Sequence, residues 1–254
     1  MKHLIITIIA LGFALQAAAE PINVRVAAYE FPPYYSDTMD SHLIGEVLNE
    51  LNNIQDKYLF TLERVAPNGR YFALSEKGCC DLMLFEDPSW GWQDAEYPVE
   101  VTEPLLIGRE RFVAMKQINR GQQFFETKGL RFGGIVGYHY PFAANEKDNR
   151  VLEEQYGIYL THSHHANLRM LMNGRLDLIM LADDFIQTML TETEREQLLL
   201  SDKPYGVYKL RAVISAGETV KPSEFKRFLK QLKQQGKLTE IFQRFHVKTE
   251  PGLS

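Results

Sequence analysis

Residues 77–85 read Lys-Gly-Cys-Cys-Asp-Leu-Met-Leu-Phe, and the apolar run Leu82-Met83-Leu84-Phe85 within them decides the fold class. A short run that is apolar at every position suits a strand buried on both faces, as in a parallel sheet covered by helices. Upstream, Tyr58-Leu59-Phe60-Thr61-Leu62 reads as a strand, and Val24, Val26 and Ala28 alternate with polar neighbours as another. Between these two, Leu43, Ile44, Val47, Leu48, Leu51 and Ile54 share one helix face, with Ser41 as the expected N-cap. A short helix from about Arg70 is expected to stop at Gly78. Strand, helix, strand, helix, strand is an α/β alternation with a mostly parallel sheet.

Downstream, a second series repeats the alternation. Strands are expected at Phe112–Met115, Arg131–Val136, Ile158–Leu160 and Leu176–Leu181. Helices are expected over about 141–156, closed by Gly157, over 165–173, closed by Gly174, and from Asp183 or Asp184 onward. Residues 206–214 return to strand character, and two amphipathic helices, about 222–235 and 237–246, flank Gly236. No low-complexity linker divides the two series. Two α/β lobes joined by strands follow, with a ligand cleft between them at the carboxyl ends of the strands.

Composition agrees with a globular chain: 254 residues, 45% hydrophobic, with 28 Lys+Arg against 33 Asp+Glu. The net charge of −5 argues against nucleic acid as a partner, because phosphate contacts need a basic field. The head of the chain has a basic start at Lys2, an apolar run from Leu4 to Leu15 and the exit Gln16-Ala17-Ala18-Ala19. That is the pattern of a secretory signal peptide, residues 1–19, cleaved after Ala19, its apolar run being shorter than the ~20 residues a membrane span needs. The expectation is a periplasmic, monomeric protein. Export permits disulfides, but Cys79 and Cys80 are adjacent, and a bond between neighbours strains the usual disulfide geometry. Two reduced thiols are the expectation.

Several short stretches, in order along the mature chain, resemble the bacterial extracellular solute-binding proteins of family 3. They are Ala28-Tyr29-Glu30-Phe31-Pro32-Pro33-Tyr34, Lys77-Gly78-Cys79-Cys80-Asp81-Leu82, Gly134-Ile135-Val136-Gly137-Tyr138, Asn167 through Asp177, and Gly236-Lys237-Leu238 with Phe242 to Phe245. The resemblance implies a periplasmic binding protein type II fold: a hinge, an interlobe cleft for a small-molecule ligand, and an inner-membrane ABC permease as partner. It implies lobes at about 20–106 plus 208–250 and about 109–204, with crossings near Leu106–Arg109 and Tyr205–Tyr208. No cofactor is implied. Family members usually carry Thr-x-x-Arg after the third strand, whose Arg clamps a ligand carboxylate; here the stretch reads Glu86-Asp87-Pro88-Ser89-Trp90-Gly91-Trp92-Gln93. Ala182 occupies the place of the family's amine-binding acid, and Asp183 follows.

The candidate site residues are then Tyr29, Phe31, Arg70, Glu86, Trp90, Trp92, Gly137, Tyr138, His139 and Asp183. The aromatic ones fall on turns after strands, where they either sandwich a planar or cationic ligand or pack the lobe surface. Glu86 and Asp87 either recognise a cation or cap a helix. Arg70 either contacts an anion or pairs with Glu30 or Glu86. Gly137-Tyr138-His139-Tyr140 precedes the helix expected at Pro141, whose free N–H groups favour an anionic group. His162, His164 and His165 are expected to be solvated near a helix cap, without a metal, since no further ligands converge on them. The sequence has no Gly-x-Ser-x-Gly, Walker or His-Glu-x-x-His pattern, so a binding protein for an amine-bearing or zwitterionic solute is expected, not an enzyme. A dehydratase on the same fold, resembling cyclohexadienyl dehydratases, or a ligand-sensing receptor partner is the alternative.

Overall fold

A computed structural model of the chain describes residues 19–217 and 219–249, so the expected signal peptide, but for Ala19, lies outside the described residues. The first α/β series comprises β1 (Ile22–Ala28), α1 (Leu43–Asn53), β2 (Tyr58–Arg64), α2 (Arg70–Ala73) and β3 (Leu82–Glu86), followed by the short β4 (Val99–Val101). The second comprises β5 (Leu106–Met115), β6 (Phe132–Ile135), α3 (Asn149–Tyr156), β7 (Ile158–Thr161), α4 (His164–Met172), β8 (Leu178–Ala182), α5 (Asp183–Met189), α6 (Glu192–Glu196) and β9 (Leu198–Leu200). The chain then returns through β10 (Gly206–Ser215) to α7 (Pro222–Gln234) and α8 (Lys237–Arg244).

One sheet runs through the molecule in the order β2-β1-β3-β10-β5-β8-β6-β7. Its two ends are parallel, β2-β1-β3 and β8-β6-β7, as the apolar runs predict. Its middle is antiparallel: β10 pairs β3 on one side and β5 on the other, with Leu210 opposite Leu106 and Gly206 opposite Glu110. These two ten-residue strands are the crossings between the series. Apolar side chains collect on either side of them. One cluster holds Val24, Leu43, Leu82, Leu210, Phe225 and Ile241; two others, around Leu171, Ile179 and Phe185 and around Phe132, Leu152 and Ile158, serve the second series. Each fully buried Leu or Phe contributes about 1.5–3 kcal/mol, so each side has its own core.

Several local expectations are corrected. His42, not Ser41, caps α1, its Nδ1 accepting from the Gly45 N–H at 3.0 Å. The helix from Arg70 ends at Ala73, and Gly78 lies beyond it, packed so tightly that a Cβ there would meet the Ala73 carbonyl at 2.2 Å. The segment 141–156 is not one helix. Pro141–Ala143 is a single 3-10 turn, and α3 starts only at Asn149, capped by Asp148. The turn stops because Ala144 and Asn145 both take left-handed backbone angles, which cannot continue a helix. Cys79 and Cys80 are joined in a disulfide instead of remaining reduced. His164 is buried, not solvated, because α4 begins one residue earlier than expected with Ser163 as its cap, turning that ring inward against Phe185.

Candidate functional site

The carboxyl ends of the parallel strands converge on the middle of the sheet. The turn after β1 delivers Tyr29, Glu30 and Phe31; β3 ends on Glu86; the chain leaving β6 carries Gly137, Tyr138 and His139. Alternation along β5 turns Glu110, itself buried, toward the same place. Tyr29, Phe31, Arg70, Trp90, Glu110, Tyr138 and His139 line one small chamber, with a volume of about 20 Å³. That is space for about one water molecule. The chamber is narrow because rings fill it: Phe31 stacks on Tyr34 with centroids 4.6 Å apart and meets Trp90 and Tyr138 edge-on. Tyr138 packs against clusters of both series.

Arg70 and Glu86 face each other at the chamber wall. Arg70 Nε lies 3.4 Å from Glu86 Oε2, an ion-pair contact outside hydrogen-bonding geometry, and both side chains are at most 2% exposed. The rest of the guanidinium is saturated. Nη1 donates to the Pro67 and Gly137 carbonyls at 2.6 and 2.9 Å, and Nη2 to Tyr71 Oη and the Trp90 carbonyl at 2.7 and 3.2 Å. Tyr29 and Tyr71 add ring faces 5.4 and 4.6 Å from the guanidinium carbon. Glu86 accepts in turn from Tyr29 Oη at 2.7 Å and Trp92 Nε1 at 2.6 Å.

Further contacts cross between the two series. Tyr138 Oη donates to the Glu30 carbonyl at 3.1 Å, Tyr34 donates to Asp184, and Tyr71 Oη bonds His139 Nε2 at 2.6 Å. Gly137 takes φ +81° and sits where a Cβ would come within 2.7 Å of the Asn68 N, so a side chain there would push the two sides apart. Burial dominates the ionisation of these groups. It raises the Tyr29, Tyr34 and Tyr138 hydroxyls well above their usual range. Burial also raises Glu86, although the Arg70 charge opposes it, and Asp184, although the Tyr34 hydrogen bond opposes it. Glu110 is pushed up to about 7 by burial, against a hydrogen bond from Tyr208 and with the help of the Asp184 charge. His164 is driven down to about 3 by burial and by His165.

Of the residues proposed from sequence, Tyr29, Phe31, Arg70, Trp90, Tyr138 and His139 are brought together at the chamber. Glu86 and Gly137 lie directly behind it, bonded to Arg70. Trp92 is turned into the core of the first series, where it serves Glu86. Asp183 is not at the chamber. It pairs with Arg111 at 2.6 Å beside a separate surface groove, while the next residue, Asp184, points inward to Tyr34. The anion site expected from a helix start after Gly137 has no helix to supply it. Glu110, Tyr34, Tyr71 and Asp184 were not legible as site residues. The alternation Gly108, Glu110, Phe112 in β5 is the one signal that would have found Glu110. Among the described residues no group of three or more His, Cys, Asp or Glu side chains could hold a metal. A roomier groove of about 670 Å³ runs between Leu105 and the α7 and α8 helices, but no buried charged group converges on it, and the small chamber is the better candidate.

Solved structures of other proteins share the fold. A protein from Wolinella succinogenes DSM 1740, described as the binding component of an ABC transporter and complexed with lysine, superposes with a TM-score of 0.69 at 15% identity, over 88% of this chain and 95% of that one. A histidine kinase sensor domain similar to periplasmic binding proteins gives 0.68 at 16% identity, over 91% and 99%. An ancestral amino acid-binding protein, a precursor of cyclohexadienyl dehydratase, gives 0.65 at 12% identity, over 88% and 95%. The fold is therefore that of the two-lobed periplasmic binding proteins. No protein-family model and no curated protein matches the chain. Among the described residues no helix is long and apolar enough to cross a membrane.

Proposed function

We propose that this chain is a periplasmic solute-binding protein that closes on a small amine-bearing or zwitterionic ligand and delivers it to an inner-membrane ABC permease. Its lobes are residues 20–106 with 208–250, and residues 109–204, hinged at the β5 and β10 crossings. The observation that carries this reading is the chamber itself, where the buried carboxyl of Glu110 and the rings of Tyr29, Phe31, Trp90 and Tyr138 meet one buried cation, Arg70, with the buried Glu86 carboxyl directly behind it. An acid excess behind ring faces favours a cationic group, since the carboxylate neutralises it and the rings hold it away from water. The saturated state of Arg70 leaves no arginine fork for a ligand carboxylate, so the amine is the main handle. The lysine held by the similar Wolinella protein fits that chemistry. Opening about the crossings makes room, and the ligand's preference for the closed state drives closure.

A thermal-shift screen over amino acids, amines, polyamines, dicarboxylates and short peptides tests this. A ligand at 100 times its dissociation constant adds ~2.7 kcal/mol, a rise of roughly 5–10 °C in Tm for a chain of this size. Amine-bearing compounds should dominate the hits and be recovered unchanged. Steady turnover of prephenate or arogenate would replace this reading with the dehydratase one. Absence of any hit would overturn it.

A further inference from the structure

Four carboxyls are buried where the two series meet, and three of them have their charge compensated locally. Asp87 accepts from Ser89 and from the Lys209 N–H, the latter at 2.7 Å. Glu86 has Arg70, Trp92 and Tyr29. Asp184 has the Tyr34 hydroxyl and opens α5, with Lys248 favouring its charged form. Glu110 has a single hydroxyl, from Tyr208 on β10, and among the described residues no Lys or Arg nitrogen forms an ion pair with it. The one guanidinium that shares its chamber, that of Arg70, is committed to Glu86 and to carbonyl oxygens. A carboxylate removed from water without a counter-charge costs several kcal/mol, so such a group takes up either a proton or a cation.

We propose that Glu110 is the specificity-determining carboxyl of the cleft, holding a proton in the ligand-free protein and exchanging it for the ammonium group of the ligand. This deepens the solute-binding reading and rests on it. In the exchange, the protonated Glu110 carboxyl gives H⁺ to solvent and the resulting carboxylate pairs with R–NH₃⁺; no covalent bond forms between ligand and protein. Its position gives the exchange a mechanical consequence. Glu110 lies on the crossing strand β5 opposite Gly206 of β10, and the Tyr205 N–H donates to its carbonyl at 2.7 Å. A cation bound there is held at the hinge itself, in contact with both crossings, and not only at the lips of the two lobes.

The groups that face Glu110 are mostly hydroxyls, which offer it no counter-charge. From the crossing back to the first series come Tyr205 and Tyr208, and from the β6 exit Tyr138 and Tyr140. Tyr34 faces it from the first series and Asp184 from α5. The tyrosines are all raised from their usual value, chiefly by burial, and stay neutral. Arg70 stays charged, and the His139 ring bonds Tyr71. Burial holds the Glu110 proton up to about pH 7, so it is available for exchange in the neutral range.

Calorimetry with L-lysine and L-norleucine, which differ by one ammonium group, tests the assignment in buffers of different ionisation enthalpy. The wild-type chain should bind lysine at least 30-fold more tightly than norleucine and release close to one proton per lysine at pH 6, falling to none at pH 8.5. In Glu110→Gln the preference should shrink to within threefold and the proton release should vanish. In Tyr208→Phe, which removes the hydrogen bond that holds the Glu110 proton more loosely, release should persist to higher pH. A lysine preference and a proton release both unchanged in Glu110→Gln would overturn this inference and leave the solute-binding reading standing. Failure of the wild-type chain to bind any compound of the thermal-shift panel would overturn that reading instead.

Discussion

Arg70 Nη1 donates to the carbonyl oxygen of Gly137 at 2.9 Å, so a side chain at the start of α2 is tied to the loop leaving β6. The same guanidinium pairs with Glu86 at the end of β3. One buried cation thus links the carboxyl ends of two parallel strand sets that are far apart in sequence, and it does so at the chamber wall.

Breaking that link should be costly on one side and partly recoverable on both. Arg70→Met leaves the Glu86 carboxylate buried without its cation, a loss of about 3–5 kcal/mol. Adding Glu86→Gln should restore a good part of it, because the stranded charge is gone. Urea unfolding of the two single variants and the double variant measures the coupling. Strict additivity would show that the pair acts as two independent groups.

Between about pH 4.5 and 7 Glu110 should contribute a loss of stability as pH rises, opposed below about pH 6.5 by the gain from His164, which burial drives down to about 3. Glu110 keeps its proton in the folded chain up to about pH 7, whereas the unfolded chain releases it near the ordinary glutamate value. Between those values Glu110 binds more proton in the native than in the unfolded chain, so its contribution to the slope of unfolding free energy against pH is negative, while that of His164 is positive. Raised values for Glu86 and Asp184 add in the same direction. Glu110→Gln should make the slope of the Tm–pH curve more positive over this window, because the His164 contribution is then unopposed by it. A curve of unchanged slope would mean that Glu110 titrates normally.

The two adjacent acids of α5 should behave differently. Tyr34→Phe leaves the buried Asp184 without its donor and should cost about 1–3 kcal/mol, with weaker binding of any hit because a contact across the cleft is lost. Asp183→Ala removes only its partly exposed pairing with Arg111, worth about 1 kcal/mol or less, and should leave affinity within twofold. Calorimetry on both variants separates them. Equal losses of affinity would place Asp183 at the site after all.

Thiol titration settles the cysteines. Unfolded, unreduced protein should show no free thiol, and reduction should release two per chain from the Cys79–Cys80 bond. Two free thiols before reduction would restore the reduced state expected from the sequence.

Local sequence carried the fold a long way. Val24, Val26 and Ala28, the run Leu82 to Phe85 and the helix face from Leu43 to Leu51 each showed a period or an apolar density that belongs to one kind of element, and each forms that element. The stretch 141–156 misled because helix-compatible residues surround Ala144 and Asn145, whose left-handed angles break the helix in the folded chain. Of the candidate residues on turns after strands, Tyr29, Phe31, Trp90 and Tyr138 line one chamber, because strand ends of a parallel sheet converge there.

What the sequence determined by itself is the alternation of elements and the aromatic character of the loops, since both are written in patterns a few residues long. Tertiary structure alone decided which charges are partners. Arg70 and Glu86 stand 16 positions apart, and Tyr34 and Asp184 stand 150 apart. Glu110 lies without an ion-pair partner because β5 and β10 pair in one register and Arg70, the guanidinium that shares its chamber, is committed to Glu86 and to carbonyl oxygens. Charge pairing depends on distance in space and on burial, and neither is encoded in the spacing of residues along the chain.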